Sequence, residues 1–169
     1  MIEGSWSGMR SYLEREMLAD SLRGRVRFEC TTFPGMDGCR YFSVWIDGSV
    51  FKRFSWETVN SYFISQGMKE NNAPRGRREY WAGFQELLAQ TPLSARSEYT
   101  DGEFCDALAA YRNQPIGESL RSEDPLVRMF ALLDRRCGKR TLARLAPEME
   151  AQPAWLRELF RLRCAAENL

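Results

Sequence analysis

The chain has 169 residues, with 24 Lys+Arg, 23 Asp+Glu and no histidine. That is the length of one domain, and the net charge of +1 gives no global field to draw in nucleic acid or an anionic membrane. The missing imidazole excludes Ser-His-Asp and Cys-His dyads and His-ligated zinc, while 44% apolar and 28% charged residues indicate a globular rather than a disordered chain.

Ser5 or Ser7 can cap a first helix, in which Trp6, Met9, Leu13, Met17 and Leu18 recur at helical spacing, with Gly24 as its stop. The period then changes to two. Val26, Phe28 and Cys30 alternate with charges, as a half-buried strand requires. Pro34 to Gly38 reads as a turn, Cys39 to Ile46 as a second strand, and Asp47-Gly48 as a type I′ hairpin turn leading into Val50 to Phe54. A regular two-residue hairpin pairs Trp45 with Val50, Val44 with Phe51 and Tyr41 with Phe54. One face then carries Phe42, Val44, Ile46 and Phe51, and the other Tyr41, Trp45, Val50 and Phe54 with Lys52 among them.

Ser55 caps a helix bearing Trp56, Val59, Tyr62 and Phe63, closed by Gly67. Residues 69–78 read as a loop. Tyr80 to Leu88 is helical up to Thr91-Pro92, and Thr100 with Glu103 forms a capping box ahead of Phe104, Ala107, Leu108 and Tyr111. Asp124-Pro125 is an N-cap with proline at the first helical position. The helix it starts, through Leu126, Met129, Phe130 and Leu133, is expected to run to Gly138. A short helical piece over Thr141 to Leu145 should end before Pro147, and Pro153 should open the last helix, with Trp155, Leu156, Leu159 and Phe160 buried.

The order predicts an α+β fold. A three-stranded antiparallel meander inside an α-β-β-β-α half (1–67) is followed by a helical half (68–169) packed on it, and residues 1–169 form a single domain. The simplest packing places the N-terminal helices on one sheet face and the C-terminal helices on the other. The face with Tyr41, Trp45, Val50 and Phe54 should be covered, either by Phe130, Leu133, Trp155, Leu159 and Phe160 or by a second copy of the chain, since it would otherwise be a large exposed apolar patch.

Trp6-Ser7, Leu13-Glu14, Leu18, Ser21-Leu22 and Gly24-Arg25, with Pro125 to Met129, Leu133 to Arg136 and Gly138 to Arg140, together resemble a family of small, functionally uncharacterised bacterial proteins. Some of its members are carried on mobile elements such as integron gene cassettes. The resemblance implies a bacterial, cytoplasmic protein used as one unit, and brings no activity, cofactor or catalytic residue. In topology alone, residues 5–66 also resemble the double-stranded RNA-binding domain. That family needs a basic cluster at the start of its second helix, and here Lys52-Arg53 is followed by Ser55-Trp56-Glu57, with a glutamate of the wrong sign.

The five cysteines, Cys30, Cys39, Cys105, Cys137 and Cys164, are odd in number and lack C-x-x-C spacing, so they read as reduced thiols. Cys30 and Cys39 can face each other across a hairpin. The start Met1-Ile2-Glu3-Gly4 has no signal-peptide pattern, and no apolar run is long enough for a membrane span. Both observations point to a cytoplasmic protein. No catalytic, cofactor or metal set emerges; Gly138-Lys139-Arg140-Thr141 lacks the first glycine of a phosphate loop.

Two constellations remain as candidate interaction residues. Tyr41, Trp45, Lys52 and Phe54 share one predicted sheet face. Arg135, Arg136, Lys139 and Arg140, with Arg144, make the densest basic run. Arg135 and Arg136 are expected in the last turn of a helix, where cations suit its dipole, with Asp134 free to pair with a neighbouring arginine. A second basic group, Arg75, Arg77 and Arg78, falls in the loop. The function these features indicate is a binding or interaction module for another protein or for a second copy. A small enzyme with a pocket between sheet and helices, or nucleic-acid binding through Arg135 to Arg140, are the alternatives.

Overall fold

The computed structural model describes residues 5–32, 40–68 and 78–169. The Pro34 to Gly38 turn, Cys39 and the Arg75 and Arg77 positions lie outside the described residues. The elements are α1 (Trp6–Ser11), continued by a π-helical turn (Tyr12–Met17) and a 3-10 turn (Asp20–Leu22), then β1 (Val26–Thr32), β2 (Arg40–Ile46), β3 (Ser49–Phe54), α2 (Trp56–Ser65), α3 (Arg78–Gln90), a 3-10 turn (Leu93–Ala95), α4 (Asp101–Arg112), α5 (Ile116–Ser119), α6 (Pro125–Leu133), α7 (Lys139–Met149) and α8 (Ala154–Ala166). This is the expected α+β order.

Local chemistry sets several boundaries as the sequence requires. The Ser5 and Ser55 hydroxyls accept from the Gly8 and Thr58 amides, Thr100 and Glu103 close a full capping box, and Asp124 caps α6 ahead of Pro125. Asp47 and Gly48 have φ of 51° and 82°, as a type I′ turn demands. The first helix, by contrast, ends at Met17 rather than near Gly24. Its last turn widens, with the Leu18 amide donating to the Leu13 carbonyl at 3.1 Å, and Gly24 (φ 76°) serves the turn into β1.

The sheet order is β1-β2-β3, antiparallel throughout. Trp45 pairs with Val50 as expected, but Val44 pairs with Lys52 and Phe42 with Phe54. Phe51 is therefore an extra residue, a β-bulge. One inserted residue reverses the alternation beyond it, so Lys52 and Phe54 turn to the inner face beside Phe28, Phe42 and Val44, and only Tyr41, Trp45 and Val50 stay outside. Phe54 is fully buried, while Val50 is 39% exposed and Tyr41 and Trp45 are half-buried.

Both helical sets pack on the inner face, contrary to the expected two-sided arrangement. Phe42 meets Trp6 at 5.2 Å between ring centroids and stacks on Phe104 at 4.6 Å. Phe130 lies against Phe28, Phe104 and Tyr111. Helix α6 is buried nearly all round, with Arg128 the exception, as a helix at the centre of a core must be. Phe130, Leu133, Leu159 and Phe160 thus fill the core over the inner face instead of covering Trp45. The strand edges are closed by other means: the Phe28 amide donates to the Glu14 carboxylate at 2.8 Å and the Ser55 amide to the Tyr99 carbonyl at 3.0 Å, which blunts edge pairing with other chains. Helices α2 and α3 build a smaller cluster around Val59, Phe63 and Phe84.

Candidate functional site

The α6–α7 corner holds the most concentrated polar chemistry among the described residues. Helix α6 ends at Leu133, so Arg135 and Arg136 lie beyond it rather than in its last turn, and Gly138 is the N-cap of α7 rather than the stop of α6. Helix α7 is also longer than expected, running from Lys139 through Pro147 to Met149. The corner is stitched to the N-terminal segment. The Ala19 amide donates to the Leu133 carbonyl at 2.9 Å and the Arg135 amide to the Met17 carbonyl at 2.8 Å, with Leu18 and Asp134 bridged as in a sheet.

Asp134 is 1% exposed and fully engaged. It accepts from the Tyr111 hydroxyl, from the Arg136 amide at 2.7 Å, and from the Arg136 guanidinium through Nε at 2.9 Å and Nη2 at 2.6 Å. The carboxylate holds the Arg136 charge more firmly than usual, and burial, reinforced by Asp134, keeps the Tyr111 phenol protonated far above its ordinary range. Behind them, Arg163 is 2% exposed. Its Nε donates to the Leu132 carbonyl, Nη2 to the Cys137 carbonyl and Nη1 to Ser21 Oγ, each at 3.0 Å, and Nη1 also pairs with Glu167. These groups make the corner rigid.

On its outer side the corner forms one wall of a cleft of about 320 Å³ between α5 and α7. Ile116, Gly117, Leu120 and Leu145 are its apolar lining, Arg121, Arg136, Arg144 and Thr141 its polar lining, and Glu148 is its carboxylate. Arg135, Lys139 and Arg140 are exposed in the adjoining corner and the first turn of α7. Of these six cations, only Arg136 has an ion-pair partner among the described residues. The first turn of α7 carries no acid and no side-chain cap, so its dipole and its cations repel one another.

The other predicted constellation is split by the bulge. Lys52 is 7% exposed; its ammonium donates to the Ser97 carbonyl and to Glu98 at 3.1 Å, and lies over the Tyr99 and Trp155 rings at 5.6 Å and 5.5 Å. Burial lowers its pKa, and Glu98 opposes part of that shift. Phe54 is core. On the outer face, Tyr41 donates to Glu57, and the Arg27 guanidinium sits 5.5 Å above the Trp45 ring. Tyr41, Trp45, Lys52 and Phe54 therefore do not form one surface, and Lys52-Arg53 is not a basic surface pair. Arg135, Arg136, Lys139 and Arg140 lie along the corner and the first turn of α7, and Arg121 and Arg144 join Arg136 in the cleft lining.

Arg121 was not legible as a site residue, because its place beside α7 is set by the α4–α5–α6 path. Arg163 carries a signal that sequence reading can use: it continues the buried stripe Leu156, Leu159, Phe160 at helical spacing, and a charge on such a stripe demands buried partners.

Among the described residues, no group of three His, Cys, Asp or Glu is placed to hold a metal ion, and no helix is long and apolar enough to cross a membrane. An α+β scaffold with a rigid, arginine-lined cleft at one helical corner is the class of protein these features define. The model of the SF0329 protein family matches residues 5–164, and the chain belongs to that family. No curated protein and no solved structure matches the chain.

Proposed function

We propose that this protein is a binding module that docks an acidic segment of another protein on the α5–α7 cleft and its basic rim. The observation that carries the reading is the set of arginines lining the cleft, Arg121, Arg136 and Arg144, with Arg135, Lys139 and Arg140 exposed beside Arg136 and in the first turn of α7; among the described residues only Arg136 of these has an ion-pair partner. Local concentration of one sign in a chain of net charge +1 favours a localised, complementary partner. The rigid corner behind Arg136 limits the entropy lost on binding. The bacterial, cytoplasmic setting and the carriage on mobile elements belong to this proposal too, on the strength of the sequence resemblance.

The same rim supports a second reading, nucleic-acid binding through Arg135, Arg136, Lys139 and Arg140. Ile116, Leu120 and Leu145 in the cleft weigh against it, since a phosphate backbone has no use for an apolar lining. Quantitative pull-downs from the native host with wild type, the Arg121→Glu/Arg144→Glu double variant and the control Arg53→Glu separate the readings. A specific protein should be enriched by wild type and Arg53→Glu and lost with the double variant. Identical capture by all three baits, or captured RNA or DNA with binding that falls steeply with salt, would refute the protein-docking reading.

A further inference from the structure

We propose that the α5–α7 cleft is an anchor pocket for one apolar side chain of the partner, flanked by that partner's own carboxylates. The proposal rests on the acidic-segment reading above and names the motif recognised. Three features of the cleft carry it.

First, its volume of about 320 Å³ lies at the small end of the roughly 300–1,000 Å³ of ligand pockets, so it takes one large side chain rather than a length of backbone. Second, its lining is mixed. Ile116, Leu120 and Leu145 offer apolar contact, and Arg121, Arg136 and Arg144 offer guanidinium groups. A compact dianion such as phosphate would leave the apolar residues unused and meet the Glu148 carboxylate. An apolar side chain avoids that repulsion, and its acidic neighbours reach the arginines.

Third, positive charge continues along the chain from the lining residue Arg136, with Arg135, Lys139 and Arg140 exposed beside it and in the first turn of α7, where residues flanking an anchor can meet it. Arg136 is already fixed by Asp134 and Tyr111, so one of the anion-facing groups is pre-organised. Gly117 leaves the wall open: a Cβ added there would meet nothing within 4 Å. The first carbon of a side chain therefore fits at this wall, which makes Gly117 the position from which to plug the cleft.

The test uses the full chain and labelled, end-capped 12-residue peptides in fluorescence anisotropy. One peptide is Asp/Glu/Ser only, the second carries a central leucine in the same acidic sequence, and the third has the leucine among serines. The acidic leucine peptide should bind about ten- to a hundredfold more tightly than the purely acidic one, the gain expected from burying one aliphatic side chain. Gly117→Trp should remove that gain, so that the two acidic peptides bind it with equal affinity, at an unchanged thermal unfolding curve. Thr141→Phe is the second plug if Gly117→Trp does not fold. Arg121→Glu/Arg144→Glu should abolish binding of both acidic peptides.

No advantage for the leucine peptide, or an advantage that survives both plugs, overturns the anchor while the docking reading stands. Absence of binding by either acidic peptide, or equal binding by the uncharged leucine peptide, overturns the docking reading itself and the anchor with it.

Discussion

Replacing Arg163 by methionine keeps the aliphatic stem on the core but removes the guanidinium that ties α8 to the α6–α7 corner. The change strands the Leu132 and Cys137 carbonyls and takes from the Glu167 carboxylate its charged partner, leaving it the Ser21 hydroxyl. Breaking one side of a buried ion pair costs about 3–5 kcal/mol, and a buried acceptor left without its donor about 1–3 kcal/mol. Because these costs overlap, the expected loss is about 4–6 kcal/mol, a large share of the roughly 5–15 kcal/mol that holds a domain of this kind folded. With a urea m-value of about 2 kcal/mol/M, the midpoint should fall by about 2–3 M at unchanged slope. Arg163→Lys keeps the charge but not the planar fork that serves several acceptors at once, and should fall between the two. A loss below about 1 kcal/mol for Arg163→Met, at unchanged slope, would refute the reasoning.

The same cluster makes a pH prediction. Hydrogen bonds from Ser21 and then Arg163 hold the Glu167 carboxyl below its ordinary value of 4.5. Protons then bind the unfolded chain more readily, so this stabilisation is complete above about pH 4.5 and is lost as pH falls through the lower, folded value; Glu167→Gln should remove that part of the acid sensitivity in pH-dependent melts. Phe54→Ala, emptying the fully buried place beside Phe104, should cost about 3–5 kcal/mol, and Trp45→Ala on the half-buried outer face about 1–2 kcal/mol. Chemical denaturation giving equal losses, or the reverse order, would contradict the bulge at Phe51. Glu103→Gln weakens the capping box and the pair with buried Arg96 together, so it should exceed the roughly 1 kcal/mol of Thr100→Ala in the same assay. Burial pushes the Cys137 thiol up to about 11, so at pH 8 it should resist alkylation until urea unfolds the chain. Rapid labelling of native protein at Cys137, located by mass spectrometry, would show the corner to be open.

Much of the fold follows from local rules. Ser55, Asp47-Gly48, Thr100 with Glu103 and Asp124-Pro125 each determine a boundary, because a cap or turn is settled by a few neighbouring residues. The gathering of Arg135, Arg136, Lys139 and Arg140 at one corner was equally legible, since they adjoin in sequence. Three things were decided only in the folded chain. The bulge at Phe51 reverses the faces of Lys52 and Phe54, because the aromatic inner face and the acceptors at Ser97 and Glu98 reward turning both inward more than a regular ladder would. Helix α6 stops at Leu133 because Asp134 bridges to Leu18 and accepts from the Tyr111 hydroxyl, contacts with partners remote in sequence. The cleft exists because the path from α4 through α5 lays Ile116, Leu120 and Arg121 beside α7. Propensity and periodicity describe a residue and its near neighbours; a register shift, a buried ion pair and a pocket arise from burial energies summed over segments far apart in the chain, and tertiary structure alone brings those together.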